Sequence, residues 1–231
     1  MRSLIKNGFK YVLFFSFTIL MCYVIYNKTP MKKTSISSIN LTGIDNLMIV
    51  AHPDDETIWG GSHLIDDKYL VVCITCGVNR TRVEEFKKVM SISKDSYIML
   101  SYPDKTNNKR DDWSKVYSNI EKDLEKIMKL KKWKTIVTHN SDGEYGHIHH
   151  KMTHNIVKSI YDNGEVEGTL YFFGKYYNKN NIELYKDTLE EISPKNKDIK
   201  INKMIEVYKS QSFIKSYFNQ MFEYENFQKY M

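Results

Sequence analysis

Five short apolar runs, each followed by a stretch with helical character, constrain this chain more than any other feature. Leu47–Ala51, Tyr69–Thr75, Tyr97–Leu100, Thr135–Thr138 and Leu170–Phe173 have the length and composition of buried strands. Helices are predicted between them. One begins near Glu56 and another from about Arg82. A third is capped by Asp111 or Asp112, with Val116, Ile120, Leu124 and Ile127 at helical spacing. A fourth starts near His147, with Met152, Ile156 and Ile160 facing inward. This alternation predicts an α/β, Rossmann-like fold with a mostly parallel, doubly wound sheet. Such sheets bind ligands beyond the carboxyl ends of their strands. The loops after Ala51, Thr75, Leu100 and His139 are therefore expected around one crevice.

Two of those loops carry an unusual density of reactive side chains. The first reads Ala51-His52-Pro53-Asp54-Asp55-Glu56. Pro53 fixes its own φ and biases His52 away from helical geometry, which favours a sharp exit from the strand. Neighbouring residues at such a turn project differently, so Asp54 and Asp55 can take separate roles. An acidic first turn complementing the helix dipole would explain the carboxylates, but not His52. The second loop, Asn140 to His150, ends in His147-Ile148-His149-His150. His147 and His150 lie one turn apart on one helical face. His150 and His154 have zincin spacing, but Lys151 stands where that motif needs glutamate.

Together the two loops predict an open metal site. His52, Asp55 and His150 would supply three nitrogen and oxygen ligands and leave positions for water and substrate, as catalytic Zn2+ requires. The same donors also suit Fe2+. Asp54 would act as general base on a water acidified towards ~7, and His147 would stabilise the oxyanion and pass a proton to the leaving amine.

These residues resemble the PIG-L/LmbE-like deacetylases, zinc enzymes with a Rossmann-like fold that act on N-acetylglucosaminyl compounds. The A-H-P-D-D-E string and the later H-x-x-H carry the resemblance, which extends over about Leu47 to Gln211. It implies His52, Asp55 and His150 as zinc ligands, Asp54 as base and His147 as electrostatic stabiliser. It also implies that Arg82 and Asp104, in Arg82-x-x-Glu85 and Tyr102-Pro103-Asp104, contact sugar or phosphate. Arg80 competes with Arg82 for that role, and Arg82 with Glu85 also fits a solvent-facing helical pair. Tyr208-Lys209-Ser210-Gln211 matches a late family element. His149 departs from the pattern, since that position is often acidic or an amide. The implied reaction is removal of the acetyl group from N-acetylglucosaminyl-phosphatidylinositol. The alternatives are another N-acetylated sugar, or a catalytically inactive sugar- or lipid-binding protein.

Other classes fit less well. The 34 Lys and Arg are scattered and matched by 28 Asp and Glu, so no basic stripe for nucleic acid forms. The three cysteines exclude a disulfide-stapled module. Cys73 and Cys76 form a C-x-x-C within a strand pattern, with no second pair to complete a four-thiolate site, and are expected to pack in the core. The chain divides on sequence into an anchor over 1–28, a linker over 29–44 and a deacetylase-like domain over 45–231. Tyr11–Tyr26 is free of charge and flanked by Lys6, Lys10, Lys28 and Lys32. It is short of the ~20 residues of a full membrane span but extendable by snorkelling lysines. No small-x-small cleavage site follows it. A single-pass anchor is expected, in the endoplasmic reticulum. Asn79-Arg80-Thr81, a glycosylation acceptor if lumenal, falls at the expected rim of the site, which favours a cytosolic domain.

Overall fold

The computed structural model describes residues 11, 14–19, 21 and 39–231. The chain divides into two units, Met1–Lys32 and Lys33–Met231. In the first, residues 11, 14–19 and 21 are helical. Among the described residues no helix is long and apolar enough to cross a membrane. The rest of the expected anchor, most of the linker and Cys22 lie outside the described residues.

The second unit is built on a six-stranded sheet. Its strands are β1 (Asn46–Val50), β2 (Tyr69–Thr75), β3 (Ser96–Tyr102), β6 (Thr135–Thr138), β7 (Thr169–Phe173) and β8 (Phe227–Lys229). A separate two-stranded hairpin joins β4 (Lys105–Thr106) to β5 (Lys109–Arg110). The sheet order is β3-β2-β1-β6-β7-β8, parallel throughout except for the antiparallel edge strand β8. All five sequence-predicted strands are present. The edge strand was not foreseen, since Phe227–Lys229 is too short to announce itself.

The long helices are α1 (Asp55–Asp66), α2 (Arg80–Ser93), α3 (Tyr117–Met128) and α4 (Ile148–Asp162). Alternation along β1 assigns its two faces. Leu47, Ile49 and Ala51 join Ile120, Leu124, Ile127, Ile156 and Ile160 in one buried cluster. On the other face Met48 meets α1, where a Cβ at Gly60 would lie 2.6 Å from the Met48 methyl. Glycine at position 60 therefore sets how closely helix and sheet approach.

One boundary differs from expectation. Helix α3 begins at Tyr117 after Val116, not at an Asp111 or Asp112 cap. Those carboxylates instead accept the Trp113 and Ser114 backbone N–H groups, at 2.7 and 3.0 Å. Such local side-chain-to-backbone bonds compete with helix formation and hold the segment as a turn. Cys73 is buried in β2 as expected, while Cys76 lies just beyond the strand at φ 67° and is only half-buried, not in the core, because the chain turns away there.

After β7 the chain runs through short helices, including α5 (Pro194–Ile199) and α6 (Phe213–Phe218). A buried ion pair ties this region to α1. The Lys200 ammonium donates to Glu225 Oε1 at 2.6 Å and to the Ile58 carbonyl at 2.9 Å. Glu225 also accepts from the Ser62 backbone N–H at 2.7 Å.

Candidate active site

Strand β1 pairs with β2 on one side and β6 on the other, so the connections leaving it and β6 diverge. The crevice at this switch point receives the loops after both strands. A cavity of about 710 Å³ opens there. His52, Asp54, Asp55, Arg82, Asp104 and His147 are among its lining residues; Arg80 is not. Tyr102, Pro103, Gln211 and the hairpin residues Lys105 and Arg110 also line it.

Asp55, first residue of α1, is the hub. Its Oδ2 accepts the His52 backbone N–H at 2.8 Å and lies 3.2 Å from His52 Nδ1. Its Oδ1 lies 3.2 Å from His150 Nε2. Although burial would raise the Asp55 pKa, His150 and His52 hold the carboxyl well below its ordinary value. For His150, burial would lower the pKa, yet Asp55 and Glu144 push it up to about 10. Asp55 therefore touches each of the other two predicted ligands through a different oxygen, and His52, Asp55 and His150 are not themselves one of the described groups whose donors converge within 4.8 Å.

The site fits a divalent cation by its orphaned donor. His150 Nδ1 bonds to Glu144 Oε2 at 2.5 Å, and a carboxylate only accepts, so Nδ1 keeps its proton and Nε2 is the nitrogen on which a cation can replace a proton. That Nε2 is buried and has no hydrogen-bond partner among the described residues. Its contact with Asp55 satisfies the distance for an ion pair but not the geometry of a hydrogen bond. A cation shared with Asp55 answers both facts. Three donor groups converge within 4.8 Å: His52, His147 and His150; His52, Asp104 and His149; and Asp55, His139 and His150. His139 is not a free donor, because its Nε2 accepts the Ala51 backbone N–H at 3.0 Å. Its Nδ1 bonds to Glu144 at 3.0 Å, so Glu144 braces both histidines.

Asp54 stands beside this group in a conformation rare for a non-glycine residue, φ 116°. Burial pushes its pKa up to about 7, against the lowering influence of Arg82. The Arg82 guanidinium donates to Asp54 Oδ2 at 3.3 Å and also to the Pro53 carbonyl. Arg82 is buried, and so is Glu85, which accepts the Ser210 N–H and hydroxyl at 2.8 and 2.6 Å. The solvent-facing pair is therefore not formed. Asp104 Oδ1 lies 3.2 Å from His52 Nε2 and pairs with Arg110. Burial would raise its pKa, but these partners hold it well below the carboxylate range.

His147 caps α4, its Nδ1 accepting the His149 backbone N–H at 3.2 Å. Burial, His52 and His150 press its pKa down to about 2, so the ring is neutral with its proton on Nε2. The sequence reading missed His139, Glu144 and Trp113. A polar His139-Asn140 pair at the end of a buried strand was the available signal for the first.

The fold and site define a parallel α/β protein with a His/Asp cluster suited to a divalent metal. The family model described as "PIG-L: GlcNAc-PI de-N-acetylase" matches residues 47–161. "Uncharacterized protein L374" of Acanthamoeba polyphaga mimivirus is 33% identical over 166 residues, covering 64% of this chain and 69% of that protein. The chain belongs to the PIG-L family. Solved structures agree in fold. The zinc-inhibited form of teicoplanin deacetylase Orf2 superposes with a TM-score of 0.53 at 13% identity, over 72% of this chain and 84% of that one. A deacetylase–bog complex from the teicoplanin biosynthesis pathway gives 0.55 at 14%, over 74% and 86%. The conserved protein TT1542 from Thermus thermophilus gives 0.50 at 13%, over 81% and 95%.

Proposed function

We propose that this chain is a divalent-metal-dependent hydrolase that removes the acetyl group from an N-acetylated amino sugar. The observation that carries the reading is the orphaned His150 Nε2, buried behind the cavity wall and facing Asp55, which lines the cavity with His52 and Asp54. His52, Asp55 and His150 would hold the metal, Zn2+ by preference, with Fe2+ compatible. When bound, such a cation supplies Lewis acidity at the amide and acidifies nearby water.

The remaining chemistry belongs to the side chains. Asp54, with a pKa near 7, accepts the proton of the attacking water. Arg82 keeps enough of its carboxyl ionised to do so. His147 donates its Nε2–H to the carbonyl oxygen as charge develops there. Because His147 is neutral, losing that proton would leave an imidazolate. The leaving amine therefore takes its proton from Asp54, and His147 acts as a donor throughout.

For the substrate we favour N-acetylglucosaminyl-phosphatidylinositol. Lys105 and Arg110 place cations on the cavity wall for a phosphate, and Val78 and Phe213, 66% and 54% exposed, give it an apolar rim. The charge-free Tyr11–Tyr26 segment, as a single-pass anchor in the endoplasmic reticulum with the domain in the cytosol, would bring this rim to a lipid substrate. Acetate release from this glycolipid and from soluble N-acetyl sugars, with metal content measured in parallel, tests the proposal. Release from soluble sugars alone would replace the glycolipid by another glycan precursor. No release from any of them, with metal bound, would leave a binding protein.

A further inference from the structure

His149, the position that departs from the family pattern, is fully buried and held by a hydrogen bond and a ring stack. Its Nε2 lies 2.7 Å from the Asp111 carbonyl oxygen, an atom that only accepts, so this nitrogen carries a proton. The ring lies flat on Trp113, with centroids 4.1 Å apart and planes 9° from parallel. Trp113 is fully buried, and its indole N–H donates to the Pro103 carbonyl at 2.7 Å. Its backbone sits at φ 53°, a conformation that a bulky residue rarely adopts and that persists only when the surroundings enforce it. The Asp111–Trp113 turn is thus a clamp on one imidazole.

The clamp decides where protons lie further in. With its proton on Nε2, the neutral His149 ring offers a lone pair at Nδ1, 3.0 Å from His52 Nε2. A hydrogen bond between two ring nitrogens needs one proton, which must then belong to His52 Nε2. His52 Nδ1 is left with its lone pair, 3.2 Å from Asp55 Oδ2. Two lone pairs at that separation repel unless a proton or a metal cation lies between them. Asp104 Oδ1, 3.2 Å from His52 Nε2, favours the same proton, although its charge is shared with Arg110.

We infer that His149 is a positioning residue: it accepts the His52 Nε2–H bond and so presents His52 Nδ1 to the metal in the correct tautomer. Outer partners of this kind set ligand orientation and basicity. The inference rests on the reading of His52 as a metal donor.

Two measurements on the full chain test it: histidine ring 15N spectra, and Zn2+ affinity by competition with a chromophoric chelator. The expected spectra show His149 protonated at Nε2 and bare at Nδ1. His149→Phe keeps the stack on Trp113 but removes the acceptor, and should weaken zinc binding roughly 10–100-fold. His149→Asn places an oxygen near the Nδ1 position and should recover most of that loss. A neutral His149 ring protonated at Nδ1 overturns the inference. So does a Phe variant that binds zinc as tightly as the wild type, or an Asn variant no better than Phe. If the Phe variant fails to fold, the wild-type spectra decide. Failure of the wider reading looks different: zinc bound and the expected tautomer, with no acetate released from any N-acetyl sugar, leaves the positioning role standing. A wild-type chain that binds no zinc overturns both.

Discussion

The Arg82 guanidinium reaches from α2 to bond both Asp54 Oδ2 and the Pro53 carbonyl, joining a helix of the second βα unit to the turn of the first. It is the strongest influence opposing burial on the Asp54 carboxyl. Replacing it removes a nearby positive charge, which raises the Asp54 pKa further above about 7. A general base must be ionised to act, so the acid limb of kcat/KM should move to higher pH in Arg82→Gln, by roughly one to three pH units. An acid limb that stays in place would show that Arg82 does not tune the base.

Asp54 itself should separate chemistry from metal binding. Asp54→Asn is expected to lower kcat by about 10²–10⁴-fold with metal content unchanged. Loss of metal in this variant would make Asp54 a ligand instead of the base.

The proposed metal donors make the opposite prediction. His150→Ala should lose bound metal, because it removes the buried nitrogen that faces Asp55. Glu144→Gln should bind metal roughly 10–100-fold more weakly, since Glu144 orients both His139 and His150. Elemental analysis and chelator competition read both, and undiminished metal in His150→Ala would rule that residue out.

Stability has a separate seat in the Lys200–Glu225 pair, where both side chains are fully buried. Removing one member leaves an unpaired buried charge, so Glu225→Gln should cost about 3–5 kcal/mol in denaturant unfolding. Burial would raise the Glu225 pKa, but Lys200 and His63 hold it below its ordinary value. The unfolded chain therefore binds the proton first as pH falls. The contribution is complete above the ordinary Glu pKa of ~4.3 and disappears as pH drops through the depressed value. The variant should show a flatter acid dependence; a wild-type curve without this acid loss would contradict the assignment.

Deleting residues 1–32, the first of the two units, should leave a folded fragment with unchanged metal content. If the segment is an anchor, the full chain sediments with membranes and the fragment does not. Equal partitioning would remove the anchor from the proposal.

The sequence was most legible where one residue answers to one local rule. Leu47 to Ala51 reads as a strand because each of its residues is apolar, and His52 to Asp55 stands out because carboxylates and an imidazole directly follow it. What stayed hidden depends on partners distant in the chain. Glu144 looks like any loop acid until its carboxylate is seen between His139 and His150. Arg82 is equally ambiguous until the fold carries it to Asp54. Asp111 and Asp112 have the composition of helix caps, and only their capture by local backbone N–H groups shows a turn. The Trp113 stack on His149 has no signature in sequence at all, because it requires a left-handed backbone at a residue that rarely adopts one.

The strand order has a consequence for assembly. Ala51 and His139 are 88 positions apart and meet only because β1 and β6 are neighbours in the sheet. A chain emerging from the ribosome completes β1, β2 and β3 while owning only His52 and Asp55 of the proposed donors. If those residues and His150 hold a cation as proposed, its capture must wait until the later half has inserted against the first strand, and metal uptake would then serve as a stopwatch for the closing step of folding.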